Sequence, residues 1–113
     1  MITIDSMERI PVIRVEGRLD HKMAPELMKA LEESWRQGGL TTVIDCTNLV
    51  YVSSAGLQVL LLAGKTVESK GGKLAFAALE PFVREVFAMT QFTRIFAVFS
   101  TVEEAVAGLS NIE

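Results

Sequence analysis

The sequence has one cysteine and one histidine. Because Cys46 is alone, no internal disulfide can form, and we interpret it as a small core residue. Apolar runs such as Val59 to Ala63 are far too short to span a bilayer. The N-terminus carries Asp5 and Glu8 in place of a cationic segment followed by an apolar one, which excludes a signal peptide. We therefore expect a cytoplasmic protein with no membrane partner.

Positive charge is neither abundant nor clustered. Eleven lysines and arginines stand against 14 acidic residues, for a net charge of −3. They form no basic stripe with interleaved aromatic residues, so we expect no direct contact with nucleic acid. Half of the residues are hydrophobic and 22% are charged, which is typical of a soluble globular protein. A length of 113 residues suits one domain, and we assign residues 1–113 to it.

Strand and helix patterns alternate along the chain. The patterns predict strands at residues 1–5, 10–16, 41–46, 73–79 and 94–99, with a further short run at 50–52. Helical spacing predicts helices at residues 22–37, from 54 to the Gly71-Gly72 pair, briefly from Pro81, and from 102 onward. Because helices connect successive strands, the sheet should be partly parallel.

The predicted fold class is α/β. It is a single domain with a mixed, mostly parallel β-sheet of four to five strands, packed with about four helices. The two strands before residue 20 are candidates for an antiparallel pair.

The tract Val50-Tyr51-Val52-Ser53-Ser54-Ala55-Gly56-Leu57 places two hydroxyl groups between a predicted strand and a predicted helix. A serine there can cap the helix by accepting hydrogen bonds from its free backbone N–H groups. The same place favours a phosphate, because unpaired donors and the positive end of the helix dipole lie there. At this point the tract fits either a structural cap or a switch.

Signatures of catalysis are weak. A nucleophile elbow needs glycine two residues before and two residues after its serine, but around Ser54 those positions hold Val52 and Gly56. The single histidine, His21, would have to act as the base, and its place after Asp20 favours a solvated or capping role. No metal-ligand spacing and no glycine-rich phosphate loop is present. We expect a protein that is not an enzyme and that has no metal or cofactor.

The serine tract is one of several motifs that follow each other in a characteristic order. The others are Glu16-Gly17-Arg18-Leu19-Asp20, Val43-Ile44-Asp45-Cys46, Gly71-Gly72-Lys73-Leu74, and Phe99-Ser100-Thr101 leading to Glu104-Ala105. Together they resemble the STAS domain (sulphate transporter and anti-sigma factor antagonist domain). The resemblance covers nearly the whole chain without long insertions, and it implies a STAS-like fold.

The resemblance also implies which residues act. In the bacterial anti-sigma factor antagonists of this family, a partner kinase phosphorylates the serine two residues before the motif glycine. That residue here is Ser54. Ser53 is the less favoured hydroxyl, and we interpret it as the helix cap. Asp20 matches a position that contacts a basic group on the kinase, while a helix cap is the competing interpretation. Gly56 has two interpretations: it lets a kinase or phosphatase approach the backbone closely, or it lets helix and strand pack closely. The resemblance implies that Asp20, Ser53 and Gly56 lie at the partner surface.

The function implied by this resemblance is that of an anti-sigma factor antagonist. Without phosphate it would bind an ATP-dependent anti-sigma serine kinase and so release a sigma factor or another output protein. A PP2C-type serine phosphatase would reset it. The alternative is a STAS subunit that is not phosphorylated and belongs to a transporter-associated or scaffold complex.

Overall fold

Turn residues and apolar periodicity divide the chain into strands and helices, which a computed structural model describes for residues 1–110. The strands are β1 (Ile2–Met7), β2 (Ile10–Val15), β3 (Gly17–Leu19), β4 (Thr42–Asp45), β5 (Leu49–Val52), β6 (Leu74–Ala77) and β7 (Ala97–Phe99). The helices are α1 (Ala24–Arg36), α2 (Ser54–Ser69), α3 (Pro81–Met89), α4 (Phe92–Ile95) and α5 (Val102–Ser110).

Five of the strands form the main sheet, in the order β1-β2-β4-β6-β7. The first two are antiparallel and are joined by a tight turn at Glu8 and Arg9, whose φ angles of 51° and 70° match the twist of a hairpin. The remaining neighbours are parallel, with helices in the crossovers. The predicted α/β class, the mostly parallel sheet and the antiparallel first pair are confirmed.

Helices cover both faces of this sheet, because successive side chains of a strand point to opposite sides. Ile13, Ile44 and Phe76 belong to the larger core cluster, which includes side chains of α1 to α4. Val43 and Ala75, from alternate positions of the same strands, pack with α5 in a smaller cluster. Within residues 1–110, none of these helices is long and apolar enough to cross a membrane.

The strand predicted at residues 94–99 is wrong in its first half. A helical turn, α4, occupies Phe92–Ile95, and β7 begins only at Ala97. Gln91, at a φ of 64°, begins this turn. Phe92 and Phe96 thereby join Phe76 and Phe87 in an aromatic cluster, whose contacting ring centroids are 4.9 to 5.4 Å apart. Burial of aromatic rings outweighs strand propensity here, and α4 raises the helix count of the described part to five.

A second sheet, with two strands, was not predicted from the sequence. The φ of Gly17 is 91°, a conformation that favours glycine, and this residue redirects the chain from β2 into β3. The N–H of Gly17 donates to the carbonyl of Asn48 at 2.9 Å, and β3 then pairs in parallel with β5. This small sheet positions the candidate site.

Candidate functional site

Two sequence motifs meet where β3 and β5 end. The register pairs Arg18 with Tyr51 and Leu19 with Val52, and the N–H of Ser53 donates to the carbonyl of Leu19 at 2.9 Å. Because paired strands lie about 4.8 Å apart, the residues that follow them, Asp20 and Ser53, are neighbours. The structure thus brings together the two tracts from which the candidate residues were chosen.

The two serines have different environments. Ser53 is the N-cap of α2, and its Oγ accepts a hydrogen bond from the N–H of Gly56 at 3.2 Å. The predicted capping role of Ser53 is therefore confirmed. Ser54 is the first residue of α2, and its side chain is exposed, with no hydrogen-bond partner in the described part of the chain. One hydroxyl is used by the fold, and the other is presented to solvent.

Gly56 is buried between the start of α2 and β3. A Cβ at this position would lie 2.6 Å from the carbonyl oxygen of Leu19, 2.8 Å from Leu19 Cγ and 3.0 Å from Val52 Cγ2. A methyl group cannot approach a backbone oxygen so closely without moving the helix. The missing side chain is therefore used inside the fold, where it holds the serine tract against the end of β3.

Asp20 organises the turn between β3 and α1. Its Oδ1 accepts hydrogen bonds from the N–H groups of Lys22 at 3.0 Å and Met23 at 3.1 Å. The hydrogen bond from Met23 is the main reason that the pKa of Asp20 is lowered from its ordinary value of 3.8. Asp20 is therefore negatively charged at neutral pH. No described residue bonds its second oxygen, Oδ2, so one carboxylate can both order the turn and face a partner.

Comparison with known proteins identifies the family. The model of the STAS domain matches residues 1–105. This chain belongs to the STAS domain family. The Bordetella bronchiseptica protein BtrV, provisionally named an anti-sigma factor antagonist, is 34% identical over 106 residues, which cover 94% of this chain and 91% of BtrV.

Solved structures agree with this STAS assignment at the level of the fold. The anti-sigma factor antagonist SpoIIAA in its unphosphorylated form superposes with a TM-score of 0.85 at 23% identity, covering 100% of this chain and 99% of SpoIIAA. The phosphorylated form of SpoIIAA, a Bacillus cell fate determinant, gives a TM-score of 0.76 at 21% identity, covering 95% and 97% of the two chains.

The other reactive side chains of this STAS domain lie in ordinary environments. Cys46 is fully buried, and burial followed by the charge of Asp45 raises the pKa of its thiol. His21 is exposed. Among residues 1–110, no group of three or more His, Cys, Asp or Glu side chains is arranged to hold a metal ion. The candidate site thus presents the exposed Ser54 hydroxyl and the Asp20 carboxylate.

Beside this STAS site lies a group of side chains that the sequence analysis did not single out. The guanidinium carbon of Arg18 lies 4.1 Å from the centre of the Tyr51 ring. Tyr51 in turn stacks on Phe82 of α3, with centroids 6.2 Å apart and an interplanar angle of 10°. Arg18 and Tyr51 come from separate motifs and Phe82 from a third segment, so only knowledge of the β3–β5 pairing could have connected them.

Proposed function

We propose that this chain is an anti-sigma factor antagonist controlled by phosphorylation of Ser54. Without phosphate it binds an ATP-dependent anti-sigma serine kinase, which then releases a sigma factor or another output protein. The observation that carries this proposal is the division between the two serines. The hydroxyl of Ser53 is engaged by the N–H of Gly56, while that of Ser54 is exposed at the first position of a 16-residue helix.

The names of the relatives support the same function. BtrV is provisionally named an anti-sigma factor antagonist, and SpoIIAA carries that description without qualification. SpoIIAA has been solved in both an unphosphorylated and a phosphorylated form. A domain with this fold therefore accommodates a phosphate, which is what the proposal requires of the present chain.

The position of Ser54 suits a reversible charge. A phosphate adds about −1.5 to −2 charges at pH 7. At the N-terminus of α2 the helix dipole favours such a charge by roughly 0.3 to 1 kcal/mol. The modified domain should therefore stay folded, and the effect of the phosphate falls on binding.

At a protein interface the same charge is unfavourable. A dianion facing acidic or buried groups of a partner costs several kcal/mol. A differential affinity of about 5.5 kcal/mol converts a complex from mostly formed to mostly absent. Phosphorylation would thus release the kinase without unfolding the antagonist.

The groups that activate Ser54 belong to the partner in this proposal. No described residue forms a hydrogen bond with the Ser54 hydroxyl, so this part of the chain supplies no base in contact with it. The kinase would contribute that base together with ATP. A PP2C-type phosphatase would remove the phosphate, and the exposure of Ser54 makes the phosphoserine accessible to it.

The test is phosphorylation by the purified anti-sigma serine kinase of the same organism. Intact-mass measurement after incubation with ATP should show one added phosphate, and fragmentation should place it on Ser54. Ser54→Ala should receive none, while Ser53→Ala is the matched control and should still be modified. No added mass, or a phosphate away from both serines, would refute the switch and favour a STAS subunit that is not phosphorylated. A Ser54→Asp variant that binds the kinase as tightly as the wild type would also contradict it.

A further inference from the structure

The pairing of β3 with β5 contains an irregularity that determines what the small sheet shows to solvent. Gly17 pairs with Leu49, but the next residue, Arg18, pairs with Tyr51, so Val50 is an extra residue on β5. A β-bulge of this kind re-aims the side chains that follow it. Leu49 and Val52 are buried, whereas Val50 is 52% exposed, and Tyr51 lies opposite the exposed Arg18. The bulge therefore brings Tyr51 to the outer face.

The exposed side chains on this face are ordered by one another. Arg18 lies over the Tyr51 ring at 4.1 Å, and no carboxylate among residues 1–110 forms a salt bridge with it. Phe82 stacks on the Tyr51 ring and remains 45% exposed, although it is a large aromatic residue. Glu80 fixes this end of α3 by accepting a hydrogen bond from the N–H of Phe82 at 2.9 Å. We call Arg18, Tyr51 and Phe82 the arginine–aromatic stack.

The stack adjoins the candidate site. Arg18 precedes Asp20 by two residues, and Tyr51 precedes Ser53 by two residues on the paired strand. Asp20 and Ser53 are the first residues after β3 and β5, which end at Leu19 and Val52. The ordered cation of Arg18 therefore lies two residues from the negative Asp20, at the same end of the small sheet as the serine tract.

We propose that the arginine–aromatic stack is a second part of the docking surface for the same kinase, and that Arg18 pairs with a carboxylate of that kinase. The proposal rests on the proposed function. Arginine and tyrosine are enriched among the few residues that carry most of the binding energy at protein interfaces. Because Tyr51 already holds the guanidinium, little side-chain freedom remains to be lost on binding. Arg18 and Asp20 carry opposite charges, so they favour a kinase that has a carboxylate opposite Arg18 and a basic group opposite Asp20. This charge pattern fixes how the two proteins align and disfavours kinases that lack it.

The experiment measures binding of the unphosphorylated full chain to that kinase by calorimetry, together with steady-state phosphorylation of Ser54. Arg18→Glu should weaken binding by at least about tenfold, and Tyr51→Ala by a similar factor. Arg36→Glu is the matched control, because Arg36 is an exposed arginine at the far end of α1 whose one ion pair within residues 1–110 is with Glu33 at 3.2 Å. It should bind within about twofold of the wild type, as a surface ion pair contributes little.

The kinetics distinguish docking from chemistry. Arg18→Glu should raise the KM for the antagonist while leaving kcat within about twofold, because the stack contacts the kinase away from the transferred phosphate. Higher salt should weaken the wild type more than Arg18→Gln, since the variant lacks the charge. Circular dichroism and thermal unfolding establish that each variant is folded. If Arg18→Glu does not fold, Arg18→Gln serves in its place and should weaken binding several-fold.

Each contrary result has a separate meaning. If the wild type is neither bound nor phosphorylated, the proposed function fails and this inference fails with it. If the wild type is phosphorylated but Arg18→Glu and Tyr51→Ala bind within twofold of it, only the docking surface is refuted. A concentration-dependent dimer of the chain that Tyr51→Ala abolishes would also overturn the inference, because a second copy would then cover the stack.

Discussion

Replacing Gly56 with alanine tests the geometry that joins the serine tract to β3. The added Cβ would lie 2.6 Å from the carbonyl oxygen of Leu19 and 2.8 Å from its Cγ. The first of these atoms belongs to the backbone of a paired strand, and its carbonyl accepts the hydrogen bond from Ser53. No side-chain rotation can relieve that contact, so α2 must move away from β3.

Two effects of opposite sign determine the magnitude. Overpacking a well-packed site costs typically about 1 to 3 kcal/mol, and a backbone clash belongs at the upper end of that range. Alanine is favoured over glycine inside a helix by roughly 1 kcal/mol, which offsets part of the cost. The net loss of unfolding free energy should be about 2 kcal/mol. With an unfolding entropy of about 2.1 cal/mol/K per residue, 113 residues give roughly 0.24 kcal/mol/K and a fall in Tm of about 8 °C.

Thermal and urea unfolding of Gly56→Ala measure this loss. Gln58→Ala is the matched control, because Gln58 is exposed and lies one turn from the start of the same helix. The unfolding free energy of this variant should stay within about 0.5 kcal/mol of the wild type. The variant should also bind the kinase more weakly, since moving α2 separates Ser54 from Asp20. A Gly56→Ala protein as stable as the wild type would show that helix propensity outweighs the contact, and the close-packing argument would be wrong.

Two further predictions concern the neighbours of Gly56. Ser53→Ala should lower the unfolding free energy by about 1 kcal/mol in urea titrations, because the N-cap is lost, whereas Ser54→Ala should change it by less than about 0.5 kcal/mol; equal effects of the two variants would contradict the division between the serines. Because the pKa of Asp20 is lowered below 3.8, its ionised form stabilises the fold at neutral pH, and that contribution is lost as pH falls from 3.8 through the lowered value. The stability difference between wild type and Asp20→Asn should therefore shrink on acidification. Thermal unfolding of both proteins at neutral and at acidic pH measures it. A difference that is the same at both pH values would contradict this role of the carboxylate.

Much of the fold could be predicted because local periodicity and burial agree in most segments. Ala24–Arg36 buries Leu27, Leu31 and Ser34 on one face, as their helical spacing indicates. The strand Thr42–Asp45 is buried at every position, as expected for a central parallel strand. The serine pair was also found from the sequence, because it lies between a predicted strand and a predicted helix, while the resemblance to the STAS domain singled out Ser54 and Asp20.

Other features depend on contacts between distant segments. The turn at Phe92 forms because Phe92 and Phe96 pack into an aromatic cluster contributed by β6 and α3. The strand β3 has only three residues, too few for a period, and it exists because β5 pairs with it. Whether Gly56 serves packing or access was likewise undecided in the sequence, since the answer depends on the distance to Leu19.

The sequence by itself determined the α/β class, the family resemblance and the serine tract, because these are carried by residue order and short-range periodicity. Only the tertiary structure decided that Gly56 packs against Leu19 and that Asp20 stands beside the serine tract. It alone also placed Arg18 over Tyr51, through a one-residue bulge at Val50. The physical reason is that register, burial and close approach arise between segments more than 30 residues apart in the chain, and local pattern does not specify them.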